Sequence, residues 1–414
     1  MRITIAYGGT PLVLDVPSHV DVQTFAPRKI EHPVSFDEFQ AAFNTAWKRD
    51  PSDPLTPLFV VNDAYRHTPT AIVLTWIERI LPGILQRSRF IVATGSHLPP
   101  TDKDLQSIFA GHLKTIRPRV EWHVATDPSS MDRVGTDSMG GEVYLNRRVF
   151  QHDPVIIIGS VEPHYFAGYT GGRKALFPGL TDLATIERNH NLANSMAIAP
   201  MKIEENPVVE HLQSLMSFVD GTRLFSIQLV LDSTGTIAGF AIGDVEASFI
   251  RAAGQARTLF AHMTDRPFDA VLCELRPPLD KNMYQAQKAL ENCQQAIADG
   301  GTAIVVARCS EGVGSEFFMK EAEDWDQVNN RPGDGVYRFG SHKLTRMVAH
   351  QRRIDVRLHS SLPDDVVEKV FYHPAGDLSE FVGALAHGRS DFHLGVVYDS
   401  GHTVLGLETK KPLL

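Results

Sequence analysis

The sequence predicts an α/β fold of two domains with largely parallel sheets. Short apolar segments rich in valine and isoleucine alternate with segments of helical periodicity through most of the chain. These apolar segments predict buried parallel strands at 58–62, 89–94, 155–160, 270–274, 302–307, 353–358 and 392–397. A length of 414 residues exceeds what one hydrophobic core usually organises, which favours two domains.

The predicted domain boundary lies at residue 265. A helical segment ends there, Pro267 follows, and a new strand begins directly afterwards. We therefore predict an N-terminal α/β domain over 1–265 and a C-terminal α/β domain over 266–414. The tail after about residue 403 can return to the N-terminal domain. The opening segment MRITIAYGGTPLVLDV predicts a β-hairpin.

The composition is that of an ordinary globular protein, with 43% hydrophobic and 21% charged residues. A net charge of −9 without a basic stripe argues against nucleic-acid and anionic-membrane partners. No apolar segment approaches the roughly 20 residues that span a bilayer, and no signal-peptide pattern opens the chain. The three cysteines follow no disulfide or metal-binding spacing. We expect a cytoplasmic protein, and its oligomeric state stays open.

Three predicted strands of the N-terminal domain end in side chains that carry chemistry. Asp63 and Arg66 follow the first of these strands, His97 follows the second, and His164 follows the third. Because ligands bind beyond the carboxyl ends of parallel strands, neighbouring strands would place two bases around an anion-binding arginine. Each residue alone also fits an ordinary turn histidine or a surface arginine. The order of the strands in the sheet decides between the two interpretations.

A glycine-rich segment follows the third strand. Gly171 and Gly172 stand just before Lys174, a pattern that favours an anion-binding loop. The spacing fits neither the Walker A nor the dinucleotide-binding motif, and a flexible turn is the alternative. A helix capped by Thr181 is predicted next, with His190 on its inner face. That histidine is either a core residue or a metal ligand, and a metal there needs donors from outside the protein.

The C-terminal domain offers a second polar group on a helix predicted to begin near Lys281. Tyr284, Gln285 and Lys288 lie within one turn of this helix. They fit either a solvated helix face or a group that binds a carboxylate.

Together these segments resemble the nickel-dependent lactate racemase family, in one order and with consistent spacing. The resemblance is carried by Asp63-x-x-Arg66, Thr94-Gly95-Ser96-His97, Glu162-Pro163-His164, Gly171-Gly172-Arg173-Lys174, His190 and Tyr284-Gln285-x-x-Lys288. It implies a two-domain enzyme with its active site in the interdomain cleft. Two positions depart from the family pattern, since Ser96 replaces the usual threonine and Arg173 the usual glycine.

The resemblance further implies a racemase or epimerase of small 2-hydroxy acids such as lactate. Malate or another larger 2-hydroxy acid is the alternative substrate, and a non-catalytic anion- or nucleotide-binding module is the alternative from a different class. The implied cofactor is a nickel-pincer nucleotide, pyridinium-3,5-bisthiocarboxylic acid mononucleotide with nickel. It would be made by separate cofactor-synthesis enzymes, be linked covalently to Lys174, and accept hydride from the substrate.

The resemblance assigns roles to most of the quoted residues. His190 would be the nickel ligand, and His97 and His164 the acid/base pair, since histidine exchanges protons near neutral pH. The implied cofactor-binding residues are Lys174, His190, Asp63, Thr94, Gly95, Ser96, Gly171 and Gly172. The implied substrate-binding residues are Arg66, Tyr284, Gln285 and Lys288, and Arg173 would contribute to specificity or else be an exposed loop arginine.

Overall fold

The structure is a computed structural model that describes residues 1–49, 55–195, 198–314, 316–325 and 341–408. Its strands are β1 (Arg2–Tyr7), β2 (Thr10–Asp15), β3 (Asp21–Phe25), β4 (Leu58–Asn62), β5 (Arg89–Ala93), β6 (Val120–Trp122), β7 (Met131–Thr136), β8 (Glu142–Asn146), β9 (Val155–Ser160), β10 (Pro163–His164), β11 (Gly168–Tyr169), β12 (Leu224–Leu231), β13 (Ile237–Gly243), β14 (Ala261–Thr264), β15 (Phe268–Glu274), β16 (Ile297–Val306), β17 (Asp355–His359), β18 (His373–Pro374), β19 (His393–Val397) and β20 (Val404–Leu407).

The α-helices in the same described ranges are α1 (Phe36–Ala46), α2 (Thr70–Ile80), α3 (Ile84–Arg87), α4 (Asp102–Phe109), α5 (Leu113–Ile116), α6 (Arg148–Gln151), α7 (Leu183–Asn191), α8 (Pro207–Leu215), α9 (Val245–Phe260), α10 (Met283–Cys293), α11 (Glu316–Glu323), α12 (Ser341–Gln351), α13 (Asp364–Lys369) and α14 (Leu378–Ala386). Within these ranges, no helix combines the length and the apolar character needed to cross a membrane. The predicted strands and the N-terminal hairpin are all present, with ends that shift by a few residues.

The chain forms two compact units, each discontinuous in sequence. Lys29–Leu192 and Met201–Leu259 make up one, here called the central unit. Met1–Arg28, Ala193–Pro200 and Phe260–Leu414 make up the other, here called the terminal unit. The α/β class with largely parallel sheets is confirmed in both.

The observed division differs from the predicted one at the start of the chain, at Ala193–Pro200 and in the position of the boundary. The boundary lies at Phe260 instead of 265, and Met1–Arg28 belongs to the terminal unit. The reason is strand pairing, because β3 lies parallel to β19 and completes the C-terminal sheet. The tail also stays in the terminal unit, where β20 pairs with β14 instead of returning to the N-terminal domain.

The central unit is built on a six-stranded sheet of order β13-β12-β9-β4-β5-β6. Its pairs are parallel except for β12 with β13. Every residue of β9 is buried, as its continuous apolar sequence VIIIGS predicts for a strand covered on both faces. On one face, Phe59 and Val61 of β4 pack with Phe39 of α1 and Val73 of α2. The strands β9, β4 and β5 are therefore neighbours, with their carboxyl ends on one edge.

The terminal unit is built on a second six-stranded sheet, of order β18-β17-β16-β15-β19-β3, and its pairs are parallel. Helix α10 packs against one face of this sheet, where Met283 and Leu290 join Val271 and Val305 in the core. The hairpin β1–β2 lies on the other face, where Ile3 and Ile5 pack with Leu272. The helix that carries the predicted carboxylate-binding group is thus fixed along its apolar side.

Candidate active site

The sheet order brings the strand-end residues of the central unit together. His97 Nδ1 lies 2.6 Å from Asp63 Oδ2, joining the ends of β5 and β4. Arg66 Nη1 lies 3.0 Å from Glu162 Oε1, joining the ends of β4 and β9. These contacts join neighbouring strand ends, because adjacent parallel strands deliver the residues to one edge. The choice between turn residues and a catalytic group stays a prediction.

Asp63 holds the end of β4 in place with both of its carboxylate oxygens. Oδ1 accepts a hydrogen bond from the backbone N–H of Tyr65, 3.2 Å away, and so caps the short 3₁₀ turn that carries Arg66. Oδ2 accepts from His97 Nδ1, and the Asp63 side chain is 9% exposed whereas that of His97 is 47% exposed. A carboxylate on Nδ1 fixes the imidazole tautomer and leaves a lone pair on Nε2. His97 is thereby set up as a base.

His164 has the opposite hydrogen-bonding arrangement. It lies on the two-stranded ribbon β10–β11, opposite Gly168. Its Nδ1 accepts from the backbone N–H groups of Phe166 at 3.4 Å and Ala167 at 3.3 Å. In the neutral imidazole the proton consequently resides on Nε2. One histidine of the pair is therefore arranged to accept a proton at Nε2, and the other to donate one.

The turn Thr94–His97 is shaped by its own backbone. Thr94 Oγ1 donates to the carbonyl of His123 at 2.5 Å, and Gly95, at φ +55°, donates its N–H to the carbonyl of Gly179 at 3.0 Å. Ser96 is exposed. In the structure these residues form the turn that carries His97, and their implied contact with a cofactor stays a prediction.

The two glycines before Lys174 are required by packing inside the protein. Gly172 donates its N–H to Gln228 Oε1 at 2.8 Å, so this group is already engaged and does not face a ligand. A Cβ on Gly172 would lie 2.8 Å from the ring of Phe249. A Cβ on Gly171 would lie 2.5 Å from Gln228 Oε1 and 2.9 Å from the carbonyl oxygen of Ser160. These contacts favour a structural role for Gly171 and Gly172 over direct contact with a phosphate.

Gly171→Ala is expected to destabilise the protein, because the added methyl overlaps both a side chain and the backbone of β9. The φ of +79° adds conformational strain, and the overlap costs about 1–3 kcal/mol beyond it. The matched control is Gly140→Ala, where φ is +82° and nothing lies within 4 Å of the added Cβ. Denaturant unfolding of the two variants gives the difference. Equal destabilisation would show that packing against Gln228 and Ser160 is unimportant.

The side chains of Lys174 and His190 both contact the ring of Phe166. The Lys174 Nζ is 5.3 Å from the ring centroid, and the imidazole of His190 meets the same ring edge-on at 5.0 Å. Burial, with the charges of Arg66 and Arg173, lowers the pKa of Lys174 to about 7. Burial and the charge of Lys174 lower the pKa of His190 to about 3. The lysine is thus available as a neutral amine, and the histidine is neutral.

His190 has a fixed tautomer as well. Its Nδ1–H donates to the carbonyl of Ile186 at 2.9 Å, which places the lone pair on Nε2. The helix α7 that carries it is held by Arg188, whose Nε donates to the buried carboxylate of Asp137 at 2.8 Å. The predicted N-cap at Thr181 is wrong, because Asp182 accepts from the N–H of Thr185 and the helix begins one residue later.

Arg173 is neither an exposed loop residue nor an uncompensated cation. Its side chain is 3% exposed, and its guanidinium forms an ion pair with Glu246 of α9. The guanidinium carbon also lies 4.7 Å from the centroid of the Phe249 ring. The expectation of an exposed arginine is therefore wrong. A role in specificity stays a prediction, and the pairing with Glu246 does not support it.

The terminal unit gathers its own predicted residues at the start of α10. Asn282 caps the helix by accepting from the N–H of Gln285 at 3.0 Å. Lys343 of α12 donates from Nζ to the carbonyl of Tyr284 at 2.5 Å, and Nζ lies 3.6 Å from the centroid of that ring. Burial and the charge of Lys288 lower the pKa of Lys343. Tyr284, Gln285 and Lys288 thus share one helix end, and their role toward a substrate stays a prediction.

Sequence reasoning assigned no role to three residues that the structure adds to these groups. Glu162 stood inside a quoted motif, and its position after β9 was a usable signal for a partner of Arg66. Gln228 and Lys343 come from distant segments, β12 and α12, and no local pattern marks them. In the ranges that the structure describes, no group of three or more His, Cys, Asp or Glu side chains is arranged to hold a metal ion.

The fold defines a class of protein, a two-unit α/β protein with polar side chains at the carboxyl ends of neighbouring parallel strands. The model of the lactate racemase N-terminal domain matches residues 7–199, and that of the lactate racemase C-terminal domain matches residues 270–351. The chain belongs to the lactate racemase family.

Two relatives named lactate racemase agree with this assignment. The chain is 31% identical over 268 residues to the lactate racemase of Lactiplantibacillus plantarum, which covers 63% of this chain and 61% of that protein. It is 25% identical to the lactate racemase of Thermoanaerobacterium thermosaccharolyticum over 92% of this chain and 93% of that one.

Two solved structures share the fold. The lactate racemase apoprotein of T. thermosaccharolyticum matches with a TM-score of 0.85 and 21% identity, over 98% of this chain and 100% of that one. A protein of Thermotoga maritima matches with a TM-score of 0.68 and 17% identity, over 92% of this chain and 100% of that one.

Proposed function

We propose that this protein is a racemase of small 2-hydroxy acids, with lactate as the first substrate to test. The observation that carries the proposal is the complementary hydrogen bonding of His97, at the end of β5, and His164, two residues after the Glu162 that pairs with Arg66. His97 offers a lone pair at Nε2 and His164 offers a proton there. The names of the two characterised relatives support the same reaction.

Racemisation requires two proton-exchanging groups, because the hydroxyl groups of the two enantiomers approach the site from different directions and each needs a base or acid within reach. The Cα hydrogen of a 2-hydroxy acid is a poor acid next to a carboxylate, so its removal as hydride is easier. His97 Nε2 takes the hydroxyl proton of one enantiomer while the Cα hydrogen leaves, which gives a planar 2-keto acid. Return of the hydrogen to the opposite face, with a proton from His164 Nε2, gives the other enantiomer. The reverse reaction uses the histidines in the opposite order.

The residues present fit a tethered nickel-pincer nucleotide. Lys174, whose pKa is lowered to about 7, is available as a neutral amine and fits the covalent link. His190 presents an Nε2 lone pair as one nitrogen ligand for the metal. The remaining donors would belong to the nucleotide, which agrees with a single protein ligand. When bound, this group supplies an electrophilic carbon that takes up the substrate hydrogen as hydride. The nickel-pincer cofactor is thus part of the proposal.

Arg66 is the residue that anchors the substrate carboxylate in this proposal. One of its terminal nitrogens, Nη1, is occupied by Glu162, and the fork formed by Nε and Nη2 matches the geometry of a carboxylate. A fixed carboxylate lets the hydroxyl-bearing carbon turn between the histidines. The additional contributions of Tyr284, Gln285 and Lys288, the cleft location and the cytoplasmic compartment stay predictions.

The test is chiral analysis of holoenzyme produced together with the cofactor-synthesis enzymes. Incubation of L-lactate is expected to yield a mixture of both enantiomers, in a protein that carries about one equivalent of nickel and a covalent adduct. 2-Hydroxybutyrate and malate are run in parallel to define the range of substrates. A preparation with nickel and adduct that leaves the configuration of every 2-hydroxy acid unchanged would contradict the proposal, and would favour a non-catalytic binding module.

A further inference from the structure

Glu162 is an acidic residue next to Arg66, the proposed anchor of the substrate carboxylate. Its carboxylate lies 3.0 Å from Arg66 Nη1, and the two side chains are 25% and 29% exposed. Neither oxygen atom of Glu162 has a described role in the proposed proton transfers. The structure therefore contains a fixed negative charge next to the proposed carboxylate anchor.

The backbone of Glu162 is held rigidly. Its N–H donates to Thr170 Oγ1 at 3.0 Å, and its carbonyl accepts from the N–H of Thr170 at 2.9 Å. Thr170 Oγ1 in turn donates to the carbonyl of Ser160, at the end of β9. The carboxylate thus projects from a segment that is bonded on both sides, and we expect it to keep its position when an anion arrives.

The Arg66–Glu162 pair leaves a defined place for one carboxylate. Glu162 occupies only Nη1, so Nε and Nη2 of Arg66 can both donate hydrogen bonds to the carboxylate of a substrate. The other nearby arginine, Arg173, has its charge compensated by Glu246. A covalent link at Lys174 would also remove the positive charge of that side chain. Among the described residues Asp63, Arg66, His97, Glu162 and His164, here called the strand-end group, Arg66 is the permanently charged cation, and in the proposed function it pairs with the substrate carboxylate.

We propose that Glu162 makes this site selective for 2-hydroxy acids with a single carboxylate. The inference rests on the proposed function. One carboxylate pairs with the Nε and Nη2 edge of Arg66, whereas for a second carboxylate on the same small molecule the remaining nitrogen, Nη1, is already occupied by the negatively charged Glu162. Two carboxylates close together in a partly buried site repel each other. The repulsion from Glu162 acts on the single carboxylate of lactate as well, but there the hydrogen bonds to Arg66 offset it. The second carboxylate of malate has no equivalent bonds to Arg66.

The experiment compares the wild-type holoenzyme with Glu162→Gln, which keeps the shape and an acceptor for Arg66 Nη1 but removes the charge. Racemisation of lactate and malate is measured, and binding of propionate and succinate is measured by calorimetry. The substitution is expected to raise kcat/KM for malate relative to lactate by about tenfold, mainly through KM, since each tenfold corresponds to about 1.4 kcal/mol. Succinate binding should strengthen relative to propionate binding.

Three further variants make the result specific. Glu162→Asp keeps the charge and should keep the preference for one carboxylate, and Glu162→Ala replaces Glu162→Gln if the latter does not fold. Glu121→Gln removes an equal charge from an ion-paired glutamate beside Arg89, at the amino end of β5, and should leave the ratio unchanged.

The outcomes separate the inference from the proposed function. An unchanged malate-to-lactate ratio in an active Glu162→Gln enzyme overturns the selectivity of Glu162 and leaves the racemase proposal intact. If the wild-type enzyme racemises neither acid, the proposed reaction fails. The ratio of succinate to propionate binding then still tests Glu162, and no change in that ratio overturns the inference.

Discussion

Replacing His97 or His164 with alanine is expected to abolish measurable racemisation, with a loss of about 10²–10⁴-fold for each residue. The reason is that each imidazole serves one direction of approach to the substrate hydroxyl, and neither can replace the other. The covalent adduct and the nickel should remain, because Lys174 and His190 are unchanged. Chiral rate measurements in both directions, with the intact mass of each variant, check the prediction.

A single-turnover experiment sharpens this prediction. Each variant retains one histidine and should still convert one enantiomer, but not the other, to the 2-keto acid. His97→Ala and His164→Ala should therefore differ in which enantiomer reacts. If both lose the same enantiomer, or if either variant racemises at the wild-type rate, the assignment of two opposed bases is wrong.

Two further variants provide rates with which the losses in His97→Ala and His164→Ala can be compared. His112→Ala removes a half-buried histidine that contacts Thr75, and should leave the rate unchanged. Asp63→Asn keeps both imidazoles but weakens the hydrogen bond that orients His97. A hydrogen bond to a charged group contributes about 1.5–3 kcal/mol, so we expect a loss of about 10- to 100-fold. A loss as large as that of His97→Ala would mean that Asp63 has a further role.

Lys174→Ala is expected to remove both the covalent adduct and the activity. No described residue replaces the amine, and a nucleotide without its link should wash out during purification. The lowered pKa makes Lys174 suited to forming the link, since about half of it is neutral at pH 7, whereas less than about 0.1% of an ordinary lysine is. Intact-mass measurement shows the adduct as a mass increment, and metal analysis shows the nickel.

The control variants distinguish loss of the covalent bond to the cofactor from loss of the positive charge at position 174. Lys174→Arg retains a cation beside Phe166 but cannot form the same bond, and should also lack the mass increment. Lys103→Ala removes an exposed lysine of α4 and should carry a full adduct. An unchanged mass increment in Lys174→Ala would show that the cofactor is held elsewhere, and Lys174 would lose its proposed role.

The sequence was sufficient to predict which residues stand at the strand ends, but not which of them contact one another. The segments that end in Asp63, His97 and His164 are visible because buried parallel strands leave continuous apolar patterns followed by polar residues. The hydrogen bond between Asp63 and His97 joins residues 34 positions apart and depends on β4 lying beside β5. No local pattern encodes which strands become neighbours.

Arg173 and the glycines before it show the same limit. A glycine pair followed by a lysine is compatible with an anion-binding loop or with a tight packing contact. Only the approach of Phe249 and Gln228, from α9 and β12, favours the packing contact. Likewise, the partner of Arg173 is Glu246, 73 positions away. Side chains from distant segments determine the environment of this loop.

The amino-acid order alone was sufficient for the α/β class, the strand positions, the hairpin and the set of residues that the family resemblance singles out. These features depend on the periodicity of neighbouring residues and on their chemical types. Folding in three dimensions decided the strand order, the transfer of Met1–Arg28 to the C-terminal sheet, the opposite tautomers of His97 and His164, and the partners of Arg66 and Arg173. Each of these features depends on contacts between residues that are far apart in the sequence. Such contacts form, and stabilise the protein, only when the sheets bring those segments together.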